Sequence, residues 1–476
     1  PSGCDPTTCP FTKGYYDRVK PALRELLSFE HLDQATLQAT AQKHQVCPFE
    51  LSLDASLWVD LIIGDYNYIF DPTVMLQRFF GEGKAKHVAL VDEAHNLVDR
   101  SREMYSATLT KEALSLPSEV TSGLRNRRAK GVLAQTKLAL EDLFKTDSEG
   151  VIPSKGHHRG AWAITELSEE FLLALEKATQ EIELYLVKEL DRDKHIPWLE
   201  PWFAIHRFLR TVELFDDSYR IIVDPTKGSI TLFCVDPSPR LEETLKGLRS
   251  VVFFSATLSP IDYFFDLLGG SSKDRKEIFL SPFRPEQMNV RIVPLDLSFN
   301  GRDQSLPTVV SEIQNHIHRT PGNHLIFCPS MAYLNQLQEK LFETGIPVES
   351  QISSMNESDR EKFLQRFKSE TSIIGLAVMG GIFAEGVDLP GDQLVGVTVI
   401  GVGLPGLSIE RDLLVAYYDQ KSKAGFEYAY RYPGIQRVLQ AMGRLIRTET
   451  DQGNVLLIDR RYLEQRYQRF LPKRGD

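Results

Sequence analysis

Cysteine is scarce in this 476-residue chain, with five residues spread too unevenly for a disulfide framework. Cys4, Cys9 and Cys47 crowd its start, whereas Cys234 and Cys328 sit inside apolar, strand-like runs and are read as core thiols. That usage fits a reducing compartment: a cytoplasm, with a bacterial one favoured, or a nucleus if the source is eukaryotic. No apolar run approaches the roughly 18 residues that a membrane span needs, and no charged segment followed by an apolar one opens the chain. Neither a membrane association nor a secretory leader is therefore expected. Basic residues are outnumbered, 55 Lys and Arg against 65 Asp and Glu, for a net charge of -10. This disfavours a protein coated in nucleic acid but leaves room for a local basic channel, because phosphate contacts depend on local charge.

What remains is ordinary soluble-globular composition, 42% hydrophobic and 25% charged, in a chain long enough for two or three domains. Its organising stretch is His87 to Asn96. Val88 to Val91 form a short continuous apolar run, as in a parallel strand covered on both faces, and the run ends at Asp92 and Glu93. Carboxylates at the carboxyl end of such a strand stand where open α/β sheets bind ligands; one can hold Mg2+ while the other aligns water. Upstream, Leu57 to Tyr68 reads as a buried strand with its exit loop, and Leu76 to Phe80 as a short helix.

From Lys111 to about Trp202 the pattern turns helical, broken by the polar stretch from Thr146 to Gly160. Leu167, Phe171, Leu175, Ala178, Ile182, Leu186 and Leu190 recur at spacings of three and four, predicting one long amphipathic helix. Arg125, Arg127, Arg128 and Lys130 form a basic cluster, either a solvated face or a nucleic-acid contact. Tyr219–Val223 and Thr231–Val235 alternate as two strands around a turn with Pro225 and Gly228. The α/β pattern resumes at Val251–Phe254, so the intervening segment reads as an insertion between two strands of one sheet. Further strands at His324–Phe327, Ile373–Val378, Leu394–Ile400 and Val455–Ile458 predict a second parallel sheet.

Five local signals stand in one order: Asp92-Glu93-Ala94-His95; Ser255-Ala256-Thr257; the strand ending at Ser330; Gly380 to Asp388; and Gln440-Ala-Met-Gly-Arg444-Leu-Ile-Arg447. Together they match the ordered motifs of superfamily-two helicases. Gly380 to Leu389 resembles the Gly-Gly-x-Phe-x-Glu-Gly-Ile-Asp-Phe motif of the XPD/DinG-like helicases, and Ser255 to Pro260 is similar to their Ser-Gly-Thr-Leu-Ser-Pro. Gly64 to Pro72 resembles their Tyr-x-Tyr-Leu-Leu-Asp-Pro segment. The resemblance spans essentially the whole chain. It implies an α/β fold of two RecA-like parallel-sheet motor domains, the first incomplete, with an iron–sulfur segment and a mainly helical Arch-like insertion. The corresponding boundaries are 1–55 for the cluster segment, 56–105 with 237–260 for motor domain 1, 106–236 for the insertion and 261–476 for motor domain 2.

The resemblance also implies roles. Asp92 would hold Mg2+ on ATP and Glu93 would polarise the attacking water. His95 would report nucleotide state to Ser255 and Thr257. Arg444 and Arg447, three apart and expected on one helix face with Gln440, would reach the γ-phosphate from the second domain, one of them as the finger. Gly380, Gly381 and Gly386 would let the backbone approach nucleotide or strand, with Glu385 and Asp388 coupling the two. Cys4, Cys9 and Cys47 stand for three of the four ligands of a [4Fe-4S] cluster. Single-stranded and forked DNA are the expected partners, with Tyr66, Tyr68, Phe283 and Tyr333 as candidate stacking aromatics. The implied activity is ATP-dependent, 5′-to-3′ unwinding in DNA repair.

One departure matters. No Gly-Lys-Ser or Gly-Lys-Thr occurs in the chain, so the phosphate-cradling loop that the family places before its cluster cysteines is missing from these residues. With Pro-Ser-Gly-Cys and no start methionine at its beginning, the chain is read as the C-terminal portion of a longer helicase, little active alone. The competing reading is a module that has lost ATP hydrolysis and binds single strands or acts as a scaffold.

Overall fold

The computed structural model describes residues 9–80, 86–117, 127–145, 160–189, 194–381, 383 and 388–472. The chain divides into two compact units, Pro1–Tyr68 and Ile69–Asp476.

In the first unit, helices Tyr15–Leu26, Gln34–His44 and Pro48–Ala55 bury Val19, Ala22, Leu26, Ala41 and Leu51 against one another. Asp33 starts the second helix by accepting the Thr36 N–H at 2.8 Å, one of the four donors a helix cannot satisfy internally. The strand expected from Leu57 onward does not form. Ser56–Trp58 is a short 3-10 turn, and Leu61 and Ile63 are 73% and 92% exposed. An apolar run becomes a strand only when a neighbouring ladder takes up its N–H and C=O groups, and no described strand pairs with this one.

In the second unit, β1 (Val88–Val91) ends in a 3-10 turn and the helix Leu97–Tyr105. The chain then leaves for the insertion. There, β2 (Ala107–Thr110), β3 (Trp162–Ile164), β4 (Tyr219–Asp224) and β5 (Ser229–Cys234) form an antiparallel sheet in the order β2-β5-β4-β3. Helices Arg127–Leu143, Glu169–Lys188 and Ile196–Glu213 pack on it around Leu133, Phe171, Ile182, Trp198, Phe208 and Leu232. The long helix matches its apolar spacing, with Ser168 capping it through the Phe171 N–H. Cys234 lies in this sheet's buried face, where burial pushes its thiol up to about 12.

The chain returns at β6 (Ser250–Phe253), which pairs in parallel with β1, Leu90 opposite Val252. Among the described residues Ala89 and Val91 are buried, while Val88 and Leu90 are 56% and 69% exposed.

The second sheet is larger and wholly parallel. It comprises β7 (Met288–Val293), β8 (His324–Cys328), β9 (Glu349–Ser350), β10 (Ile374–Val378), β11 (Gly396–Ile400) and β12 (Gly453–Ile458), in the order β7-β12-β11-β8-β10-β9. Helices cover both faces: Phe363, Phe367, Ile435, Val438 and Ala441 pack on one, and Val309, Ile313, Leu334 and Leu337 on the other. Each fully buried aliphatic side chain contributes about 1.5–3 kcal/mol. After β10 the chain crosses to the opposite side of β8, so the carboxyl ends of β8, β10 and β11 flank a topological switch point, where such sheets bind ligands.

Candidate functional site

β1 ends as the sequence suggested, with Asp92 and Glu93 exposed at its carboxyl edge. Glu93 adopts φ 46° and ψ 41°, a left-handed conformation uncommon for a residue with a side chain and frequent at functional turns. Its N–H donates to Asp92 Oδ1 at 2.7 Å. The parallel pairing of β1 with β6 brings Ser255 alongside, and Ser255 Oγ donates to Glu93 Oε2 at 3.0 Å. His95 Nδ1 lies 2.8 Å from the same hydroxyl and 3.3 Å from Glu93 Oε2.

The direction of the protons follows from the carboxylate, which can only accept. Ser255 spends its one hydrogen on Glu93, so its oxygen accepts from His95 Nδ1–H and from the Thr257 N–H at 3.2 Å. The neutral imidazole then presents Nε2 as an acceptor, and Gln440 Nε2 donates to it at 2.5 Å. A continuous relay therefore runs Gln440, His95, Ser255, Glu93. Its first member belongs to the helix Tyr432–Met442, which packs on the second sheet; the other three belong to the first sheet and the turn after it. A second strut lies beside it, Gln436 Nε2 donating to Thr257 Oγ1 at 2.6 Å. Gln436 went unnoticed in the sequence, although its spacing of four from Gln440 puts both amides on one helix face.

The arginine segment differs from expectation. The helix stops at Met442 with Gly443 following, so Arg444 and Arg447 lie beyond it and share no helix face with Gln440. Arg444 is buried, 8% exposed. Arg447 is exposed, its Nε 3.7 Å from Asp388 Oδ1, and its backbone N–H donates to Asp451 Oδ2 at 2.8 Å. The segment is a loop because Asp451 and Gln287 satisfy backbone groups that a continuing helix would have bonded internally.

Gly380, after β10, has φ 75°, and a Cβ there would meet the Arg437 guanidinium at 2.9 Å. A bulkier residue would displace that side chain. Burial and the neighbouring Arg411 hold the Arg437 guanidinium below its ordinary pKa. Gly381 sits beside Gln351, whose Oε1 accepts the Val378 N–H at 3.0 Å. Gly386 and Glu385 lie outside the described residues, as do Cys4 and Arg125. Of the candidate aromatics, Tyr333 is 2% exposed in the core of the second domain and cannot stack on a base. Phe283 is packed against the other side of that domain; Tyr66 and Tyr68 are half-buried. Arg128 pairs with Glu181 at 2.9 Å on the insertion.

In the first unit, Cys9 and Cys47 are half-buried free thiols. Hydrogen bonds from Thr12 and from the Phe11 backbone hold Cys9 below the usual thiol value, which suits a thiolate ligand. Among the described residues no group of three or more His, Cys, Asp or Glu side chains is arranged to hold a metal ion. No described helix is long and apolar enough to cross a membrane.

Comparison with known proteins bears on the same features. Residues 2–114 match the DEAD_2 family and residues 313–475 the helicase C-terminal domain family. The chain is 26% identical over 436 residues to the ATP-dependent DNA helicase CHL1 of Debaryomyces hansenii, covering 79% of this chain and 52% of that protein. It is 22% identical over 516 residues to the general transcription and DNA repair factor IIH helicase subunit XPD/RAD3 of Saccharomyces cerevisiae, covering 91% and 66%. The chain thus spans less than two thirds of either relative. Both are fungal, which gives the expected bacterial setting no support. A solved XPD helicase superposes with a TM-score of 0.59 at 16% identity, covering 98% of this chain and 83% of that one. The Xpd4 structure from S. tokodaii gives 0.56 at 15% identity, covering 83% and 77%. With its ordered motifs, its two family matches and its parallel α/β domains, the chain belongs to the XPD/DinG-like family of superfamily-two helicases.

Proposed function

We propose that this chain is the larger part of an ATP-dependent DNA helicase that couples hydrolysis between its two α/β domains to movement along one DNA strand, 5′ to 3′, in DNA repair. The observation that carries the reading is the relay from Gln440 through His95 and Ser255 to Glu93. A chain of buried and half-buried polar groups between two domains, ending on an exposed carboxylate, is the wiring expected of a site that senses whether its substrate is present.

In this reading Asp92 would hold Mg2+, which neutralises phosphate charge, and Glu93 orients water for attack on the γ-phosphate. Ser255, itself accepting from His95, donates to one oxygen of Glu93 and leaves the other for water. Arg447, exposed beyond the helix end, approaches the phosphates from the second domain, while buried Arg444 supports the segment's shape. The Gly380–Gly381 turn and Arg437 contribute to strand contact, with Gly386, Glu385 and Asp388 in the adjoining segment. Single-stranded and forked DNA are the substrates. Residues 106–236 act as the Arch, and Cys4, Cys9 and Cys47 as cluster ligands beside a fourth cysteine. The phosphate-cradling loop is assigned to a preceding segment of the full-length protein.

In the full-length protein, Glu93→Gln should abolish strand-stimulated ATP turnover, a loss of roughly 100-fold or more, while leaving ATP affinity within about twofold. Unchanged turnover would remove Glu93 from the chemistry; lost ATP binding would make it a structural residue.

A further inference from the structure

Gln287 stands far in sequence from every motif, in the short turn Pro285–Gln287 on the chain leading from β6 to β7. Its side chain is nonetheless buried, 9% exposed, and fully engaged. The amide oxygen accepts the Arg284 N–H at 2.9 Å, fixing the orientation of the group. The amide nitrogen then points into three backbone carbonyls, of Thr448 at 3.3 Å, Glu449 at 3.2 Å and Asp451 at 2.8 Å. From the opposite side the Asp451 carboxylate accepts the N–H groups of Arg447 and Thr448, both at 2.8 Å, and the Thr448 hydroxyl at 2.6 Å.

The loop so held begins where the helix ladder ends. Past Gly443 the chain has left the helix: Asp451 holds the Arg447 N–H, and Gln287 holds the carbonyls of Thr448, Glu449 and Asp451 that follow it. Carbonyls that converge on one point repel one another unless a donor sits between them, and the two hydrogens of a primary amide meet that demand. An apolar residue in the same volume would leave three carbonyls to find other partners, and the loop would rearrange.

We propose that Gln287 is a positioning residue for Arg447: its amide locks the loop that carries this arginine, and ties the loop to the connection between the two α/β domains. The proposal rests on the helicase reading for Arg447's role, while the locking itself does not. A guanidinium displaced by even 1 Å from the γ-phosphate loses much of its stabilisation of the transition state.

Gln287→Met keeps the buried volume and removes the donor. In the full-length protein with ATP and single-stranded DNA, it should lower kcat roughly 10-fold with the KM for ATP nearly unchanged. Because Gln287 acts through Arg447, the double variant with Arg447→Ala should be no slower than Arg447→Ala alone. A multiplicative loss in the double variant, or a normal kcat in Gln287→Met, would overturn the proposal. If Arg447→Ala itself leaves turnover unchanged, the helicase role of this arginine fails instead. The lock is then read separately by amide hydrogen exchange at residues 447–451, which should quicken at least 10-fold in Gln287→Met and in Gln287→Ala; unchanged exchange would refute it.

Discussion

Gln440→Met offers a clean cut through the relay, because it preserves the side chain's length and removes its donor. His95 is almost fully buried, with its side chain 5% exposed, and its Nε2 accepts from the Gln440 amide at 2.5 Å. Losing one such bond costs about 1 kcal/mol net, and a buried acceptor left without it raises the figure toward 2 kcal/mol. The bond joins groups from the two α/β domains, so most of that cost falls on the state in which the domains touch. About 1.4 kcal/mol corresponds to a tenfold change in an equilibrium constant. The closed-to-open ratio should therefore fall roughly tenfold; the Gln436–Thr257 strut beside it, at 2.6 Å, limits the loss to about that figure. Fluorescence energy transfer between dyes on the two domains of the full-length protein would report nucleotide-driven closure, with kcat measured in parallel. His95→Ala alone and the double variant complete a cycle in which the two losses should not add. Unchanged closure and turnover would refute the relay. Additive losses would show that the two residues act independently.

Two further outcomes follow from other parts of the molecule. The [4Fe-4S] assignment predicts brown, full-length protein with broad absorbance near roughly 400 nm, diminished by Cys9→Ser or Cys47→Ser; colourless protein holding no iron would refute it. In the second domain, His316 is 6% exposed and His324 0%, with rings 5.1 Å apart. Burial, helped by the nearby His324 and Arg291, holds His316 down to about 4 from an ordinary 6.5. Its contribution to stability is complete above pH 6.5 and is lost as pH falls toward 4, because the unfolded chain takes up a proton that the fold refuses. At pH 5 this is worth about 2 kcal/mol. Thermal unfolding midpoints at pH 7.5 and 5 should separate more in the native sequence than in His316→Gln; equal separations would refute it.

Some of this protein is written in local sequence and some is not. The strands at Val88–Val91, Val251–Phe254, His324–Phe327 and Ile373–Val378, and the long insertion helix, follow from runs and periodicities that side-chain chemistry imposes on neighbours along the chain. The ordered motifs likewise identify Asp92, Glu93, His95 and Gln440, since each is recognised by the residues beside it. Long-range placement is different. Leu57 to Tyr68 is as apolar as a strand, yet no described strand pairs with it, and only pairing makes a strand. Tyr333 has the chemistry of a stacking platform but stands on the inner face of its helix. Arg444 and Arg447 have helical spacing, yet the helix has already ended at Met442, and the loop beyond it is held at Thr448, Glu449 and Asp451 by Gln287, some 160 residues earlier. The struts from Gln436 and Gln440 could be suspected from their spacing of four, but their acceptors lie at Thr257 and His95, distances that no local pattern encodes. The sequence alone determined which side chains could do the chemistry. The tertiary structure decided which of them meet, because hydrogen bonds between domains depend on how two sheets and one helix come together.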